Sequence, residues 1–180
     1  TWHNIVIGGA AGSIPPLVGC AAVNGNLDIL AWYLFAIIFL WTPVHFWALA
    51  IMIKDDYAEA GIPMLPVVMG DRATAVQIAV YAVLTAAISA VPFLQHLAGW
   101  IYLVGVIALN LLLLQQSAKL LKQLDRPRAS SLFHYSMLYL FLLFLIMAVD
   151  RAVIKPVVKV EAPVPVATEV ILNRIASTNF

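Results

Sequence analysis

ILAWYLFAIIFLWTPVHFWALAIMI (residues 29–53) carries no charged side chain over 25 positions, and KDDYAEAGIPMLP (residues 54–66) follows it at once. A bilayer-spanning helix needs ~20 mostly apolar residues, each adding ~1.5 Å of rise. The charges therefore begin where such a helix would leave the lipid. Lys54, Asp55, Asp56 and Glu59 cluster there, in a chain of which only 11% is charged. At that boundary a polar headgroup can meet hydrocarbon. Asp55, Asp56 and Glu59 offer the oxygen donors that hard divalent ions such as Mg²⁺ prefer. The competing reading is a solvated loop that merely caps a helix, since charged loops between spans are common.

Composition agrees with a membrane location. The chain is 63% hydrophobic, with a mean hydropathy of +0.97, whereas soluble domains sit near ~45–50% apolar. A net charge of +1 gives no reason to expect a nucleic-acid partner. The single cysteine, Cys20, excludes an internal disulfide and reads as a small packing residue. The sequence opens on Thr1 without a basic leader, and Pro15-Pro16 interrupt the first apolar run. No signal peptide is expected, and the start looks internal to something longer.

Outward from residues 29–53, four more apolar runs predict an all-α transmembrane fold with five spans: 5–23, 29–53, 73–94, 97–118 and 132–149. In the first, Gly8 and Gly12 form a GxxxG pair suited to close helix approach. Pro15 and Pro16 lack N–H donors for the carbonyls of Ala11 and Gly12, so the kink should face protein or a wet cavity. In the second, Trp32 suits an interfacial anchor and His45 should face the bundle interior. His45 lies ~16 Å of helical rise from Asp56, too far to share a metal with it. It reads either as a hydrogen-bonded structural histidine or as a substrate contact. Trp100 and Tyr102 look like an aromatic belt. Residues 1–151 form the membrane domain, and residues 152–180, with Pro156, Pro163 and Pro165, read as an extended or disordered tail.

The basic residues orient the spans. Lys54 and Arg72 follow the second span, and Lys119, Lys122, Arg126 and Arg128 follow the fourth, making six of the ten basic residues. The positive-inside rule places the 54–72 and 119–130 loops in the cytoplasm. Arg151, Lys155, Lys159 and Arg174 count against it from the opposite side.

Asn4–Gly12, Pro15-Pro16, Pro43–Ala50 and Asp56-Tyr57 through Ala60–Val67 together resemble the UbiA-like membrane prenyltransferases, and among them the haem-modifying branch. The resemblance covers residues 1–149 and implies a nine-helix bundle, of which these would be the last five helices. Two aspartate-rich cytoplasmic loops would face one another across a cavity, and only the second is present here. The implied reaction joins farnesyl diphosphate to a vinyl group of haem B, with Mg²⁺, giving haem O. Asp56 matches the family's second-loop aspartate, with Asp55 and Glu59 as further metal candidates. Lys54 and Arg72 would contact phosphate, or else serve as topology charges. His45, Asn4 and Tyr57, in the matching stretches, would contact substrate. The implied setting is a bacterial inner membrane, with the N-terminal half of the same protein as partner and this portion inactive alone. Two alternatives remain: a prenyltransferase acting on a quinone precursor, and a non-catalytic membrane subunit.

Overall fold

The computed structural model describes residues 3–153. Eight helices follow one another: α1 (Asn4–Gly12), α2 (Pro15–Asn24), α3 (Ile29–Met52), α4 (Lys54–Glu59), α5 (Leu65–Val68), α6 (Gly70–Leu94), α7 (Trp100–Lys122) and α8 (Arg126–Val153). With α1 and α2 taken as one kinked rod, five segments are long and apolar enough to cross a membrane. The described residues contain no strand. The all-α, five-span expectation therefore holds.

Packing closes α3, α6, α7 and α8 into a ring in which each helix touches the next, with α1 and α2 laid against α3. Because consecutive members reverse direction, this is an up-down-up-down bundle. The buried positions repeat with heptad spacing: Ala75, Ile78, Ala82, Thr85, Ser89 and Pro92 on α6, and Tyr102, Val106, Leu109, Leu113, Ser117 and Leu120 on α7. Steps of three or four residues keep one seam facing a neighbouring helix. Several of these inward side chains are small or hydroxylic, whereas Val76, Val80, Val83 and Leu84 on α6 point outward. Lipid solvates large aliphatic groups as well as a core does, so small residues mark the packed face.

Several polar groups in the bundle are paired between helices. Asn110 Nδ2 donates to Ser89 Oγ (2.9 Å), Tyr139 Oη donates to Asn110 Oδ1 (2.8 Å), and Tyr102 Oη donates to the Ser89 carbonyl (2.7 Å). These bonds tie α6, α7 and α8 together where water is absent.

Several boundaries differ from the sequence reading. Residues 54–68 are not a plain loop, because α4 and α5 form within them. The basic loop shrinks to residues 123–125, and Arg126 to Arg128 form the first turn of α8, where Asp125 Oδ1 accepts from Arg128 N (2.9 Å). Asp125 satisfies one of the N–H groups that a helix start leaves unpaired. Asp150 and Arg151, expected at a span's edge, lie inside α8. The close approach expected at Gly8 and Gly12 occurs at Gly9, where an added Cβ would sit 3.1 Å from Thr42 Cγ2; at Gly8 and Gly12 it would meet nothing within 4 Å. The Ala11 carbonyl, freed by Pro15, accepts from Ile14 N at 3.3 Å. The expected tail from residue 154 onward lies outside the described residues.

Candidate active site

The charged stretch sits at one end of the bundle. α3 stops at Met52, Ile53 leaves helical geometry (φ −120°), and α4 begins at Lys54. Lys54 Nζ reaches across to Asp71 Oδ2 in the first turn of α6, at 2.9 Å. This bond raises the Lys54 pKa, first through the hydrogen bond to Asp71, then through its charge, with a smaller contribution from Asp55. Arg72, the next residue, donates from Nη1 to the Leu121 carbonyl (2.7 Å), at the C-terminal turn of α7. The ends of α3 and α7 and the start of α6 therefore share one end of the molecule. The 54–72 segment and the turn at 123–125 lie together there.

Asp55, Asp56 and Glu59 are exposed on α4. Asp55 and Glu59 are one helical turn apart and share a face, while Asp56 is displaced around the axis. These three have no hydrogen-bond or ion-pair partner among the described residues. Every other described carboxylate has one: Asp28 caps α3, Asp71 pairs with Lys54, Asp125 pairs with Arg128, and Asp150 holds two backbone amides. Asp71 adds one unsatisfied acceptor, since its Oδ1 is buried without a partner. Three free carboxylates suit Mg²⁺, which takes one or two protein oxygens and completes its shell with phosphate and water. No three His, Cys, Asp or Glu side chains converge into a ready-made cage among the described residues.

Asn4 reaches this end from α1. Its Nδ2 donates to Met64 Sδ at 3.1 Å, joining the start of α1 to the turn between α4 and α5. Tyr57 is half-buried, and its carbonyl accepts from Ile62 N (2.9 Å) to close that turn. Gly61 has φ +67°, which disfavours any residue with a Cβ. Asn4 also lines a cleft of about 330 Å³ between α1 and α3, with Gly8, Gly12, Trp41, Thr42 and Phe46. Gly8 and Gly12 leave a flat wall on that cleft, so a Cβ at either would meet nothing within 4 Å.

His45 lies deeper, on the α3 face that meets α8. It stacks between Trp41 (centroids 4.7 Å apart) and Phe133 (4.5 Å), and Nδ1 is 2.7 Å from Ser136 Oγ. Trp41 Nε1 donates to the Ser136 carbonyl at 2.9 Å. The structure thus gathers Lys54, Asp55, Asp56, Tyr57, Glu59, Arg72 and Asn4 at one end and keeps His45 apart. Sequence reasoning overlooked Asp71 and Ser136. Asp71 shows no sequence signal beyond its place at a helix start, and Ser136 is one serine in a long apolar run.

The pattern of the UbiA prenyltransferase family matches residues 1–148. A protein named protoheme IX farnesyltransferase from Thermus thermophilus is 64% identical over 153 residues, covering 85% of this chain and 25% of that protein. One of the same name from Deinococcus radiodurans is 57% identical over 160 residues, covering 86% of this chain and 51% of the relative. A third, from Gloeobacter violaceus, is 55% identical over 151 residues, covering 83% and 50%. The chain thus spans about half of these relatives' length or less, and the match falls on their C-terminal part. No solved structure matches this chain.

Proposed function

The chain belongs to the UbiA prenyltransferase family, and we propose that it forms part of a membrane farnesyltransferase that converts haem B to haem O. The observation that carries this reading is the set of three unpartnered carboxylates, Asp55, Asp56 and Glu59, at the end of an apolar span. The names of the relatives supply the substrate class.

In this reading the allylic C–O bond of farnesyl diphosphate breaks and a C–C bond forms to one vinyl carbon of haem B. Water adds to the other vinyl carbon, and a proton and diphosphate leave. Bound Mg²⁺ would neutralise charge developing on the leaving diphosphate. Asp56 would hold that ion, with Asp55 and Glu59 on the same short helix as further ligands. Lys54, tethered to Asp71, positions α4 and adds positive charge beside the diphosphate. Arg72 braces the end of α7 within the same region. Asn4 and Tyr57 shape the entrance, and the apolar bundle keeps water from the farnesyl cation until the C–C bond has formed.

The 54–72 segment and the 123–125 turn face the cytoplasm of a bacterial inner membrane, following the excess of Lys and Arg there. The second acidic loop that the family implies comes from the remainder of the protein, so this portion alone makes no haem O. The test is haem extraction and chromatography from cells lacking haem O synthase that express the full-length protein. A haem O peak is expected. A prenylated quinone precursor in its place would overturn the assignment.

A further inference from the structure

α6 and α7 pack side by side, and on their outer surface they leave a groove of about 430 Å³ lined by Val76, Ala79, Val80, Val83, Leu84 and Leu121. Every one of these side chains is apolar. All but Leu121 come from α6, at the three- and four-residue spacing that marks one helix face. From Val76 to Leu84 that face runs ~12 Å along the helix axis, less than half of a hydrocarbon core ~30 Å thick. Starting one turn inside the charged end of the bundle, the groove fits within a single leaflet.

Arg72 stands at its mouth, one turn before Val76 on the same stripe of α6. Its side chain crosses to α7, where Nη1 donates to the Leu121 carbonyl (2.7 Å), whereas its neighbour Asp71 turns to Lys54. The bond to Leu121 joins the two walls of the groove at their charged end. The Arg72 guanidinium is exposed, and its remaining N–H donors have no partner among the described residues. Lys122 follows Leu121 directly, is exposed, and pairs with nothing among the described residues. The acids nearest to these two in sequence are already taken: Asp71 pairs with Lys54 and Asp125 with Arg128. Two uncompensated cations therefore stand at the open end of a wholly apolar furrow.

We propose that this groove holds an acyl chain of an anionic phospholipid, with Arg72 and Lys122 on its phosphodiester headgroup. A guanidinium fork matches two phosphate oxygens. The Lys122 stem can lie along the apolar wall while its ammonium stays at the headgroup level. Basic pockets between spans are suited to anionic headgroups, which bring no cation of their own to compete. This site goes beyond the haem reading and requires only that α6 and α7 cross a bilayer, which their length and apolarity allow.

The test is native mass spectrometry of the full-length protein equilibrated with equal amounts of phosphatidylglycerol and phosphatidylcholine of the same chain length. The wild type is expected to keep one phosphatidylglycerol in preference. A basic residue near the membrane surface contributes ~5-fold to anionic-lipid affinity, so Arg72→Gln and Lys122→Gln should each lose about that, and the double variant ~30-fold. Val80→Trp fills the groove with every charge kept and should also lower retention. Val104→Trp, on an exposed part of α7 outside the groove, should not. Glycerophosphoglycerol, the headgroup without its chains, should not compete. Equal retention of both lipids by the wild type, an unaltered preference in the Gln variants, or identical behaviour of the two Trp variants would overturn the proposal. So would displacement of the bound lipid by farnesyl diphosphate, which would make the groove the donor's. Should Arg72→Gln fail to fold for want of its bond to Leu121, Lys122→Gln still decides the role of charge and Val80→Trp that of the groove.

Discussion

Lys54 Nζ and Asp71 Oδ2, 17 positions apart in sequence, lie 2.9 Å apart and bind the start of α4 to the first turn of α6. This bond fixes where the three free carboxylates of α4 stand relative to the bundle. Exposed pairs of this kind contribute little to global stability, ~0–1 kcal/mol, so its importance is local.

The pH dependence of this tether follows from the raised Lys54 pKa. A raised folded-state value means that the contribution is complete below the unfolded lysine value, ~10.4, and disappears as pH rises through the folded value. The melting-temperature gap between wild type and Lys54→Met in detergent should therefore be constant near neutral pH and close at strongly alkaline pH. A gap that widened with rising pH would contradict the assignment.

Asp56→Asn in the full-length protein should remove most haem O formation while leaving membrane insertion and thermal stability unchanged. Asp56 is exposed and no packing depends on it, and surface substitutions away from specific contacts usually cost within ~0.5 kcal/mol. The check is haem O per unit of inserted protein. Near-normal turnover at saturating Mg²⁺ would show that Asp56 does not hold the ion.

The five spans and the placement of the acidic stretch were legible because both depend on long uncharged runs ended by charges. Helix ends were less so: α8 begins at Arg126, six residues before its apolar run, because Asp125 caps it there. The inward faces could not be read from hydrophobicity at all. Ser89, Thr85 and Ala82 are buried while Val80, Val83 and Leu84 are exposed, so on α6 polarity runs opposite to that of a soluble bundle. The partners of His45 and Lys54 lie 91 and 17 positions away, and such pairings appear only once the helices are packed.

Cysteine labelling tests the topology. In a Cys20→Ser background, Ala60→Cys and Gln123→Cys should react with an impermeant reagent from the same side, and that side should be cytoplasmic. The bond from Arg72 Nη1 to the Leu121 carbonyl at 2.7 Å already brings the two segments to one end. Reaction from opposite sides would be incompatible with that bond.

Gly9 and Gly8 should respond in opposite ways to substitution. A Cβ at Gly9 would lie 3.1 Å and 3.2 Å from Thr42 Cγ2 and Cβ, whereas at Gly8 it would meet nothing within 4 Å. Gly9→Leu should push α1 away from α3 at a cost of ~1–3 kcal/mol, and Gly8→Ala should be near neutral. Unfolding midpoints in detergent would decide, and equal losses at both positions would mean that α1 presents a different face.

Asp150 sets the last test, because its carboxylate is 1% exposed yet forms no ion pair among the described residues. From the end of α8 it accepts from Gly99 N at 2.6 Å and from Tyr102 N at 3.1 Å. Those amides belong to the start of α7, where a helix leaves N–H groups unpaired and carries partial positive charge. Asp150 therefore caps α7 from a neighbouring helix, and its negative charge is compensated without a cation. Asp150→Ala leaves both amides without that acceptor, the Gly99 amide partly buried and the Tyr102 amide buried, which should cost about 2–4 kcal/mol. Asp150→Asn keeps one acceptor oxygen but loses the charge, so its stability should fall between the two. Hydrogen exchange at Gly99 and Tyr102 should accelerate in the same order, ahead of exchange in the middle of α7. If Asn were no better than Ala, the amides would not depend on that oxygen and the cap would have to be sought elsewhere.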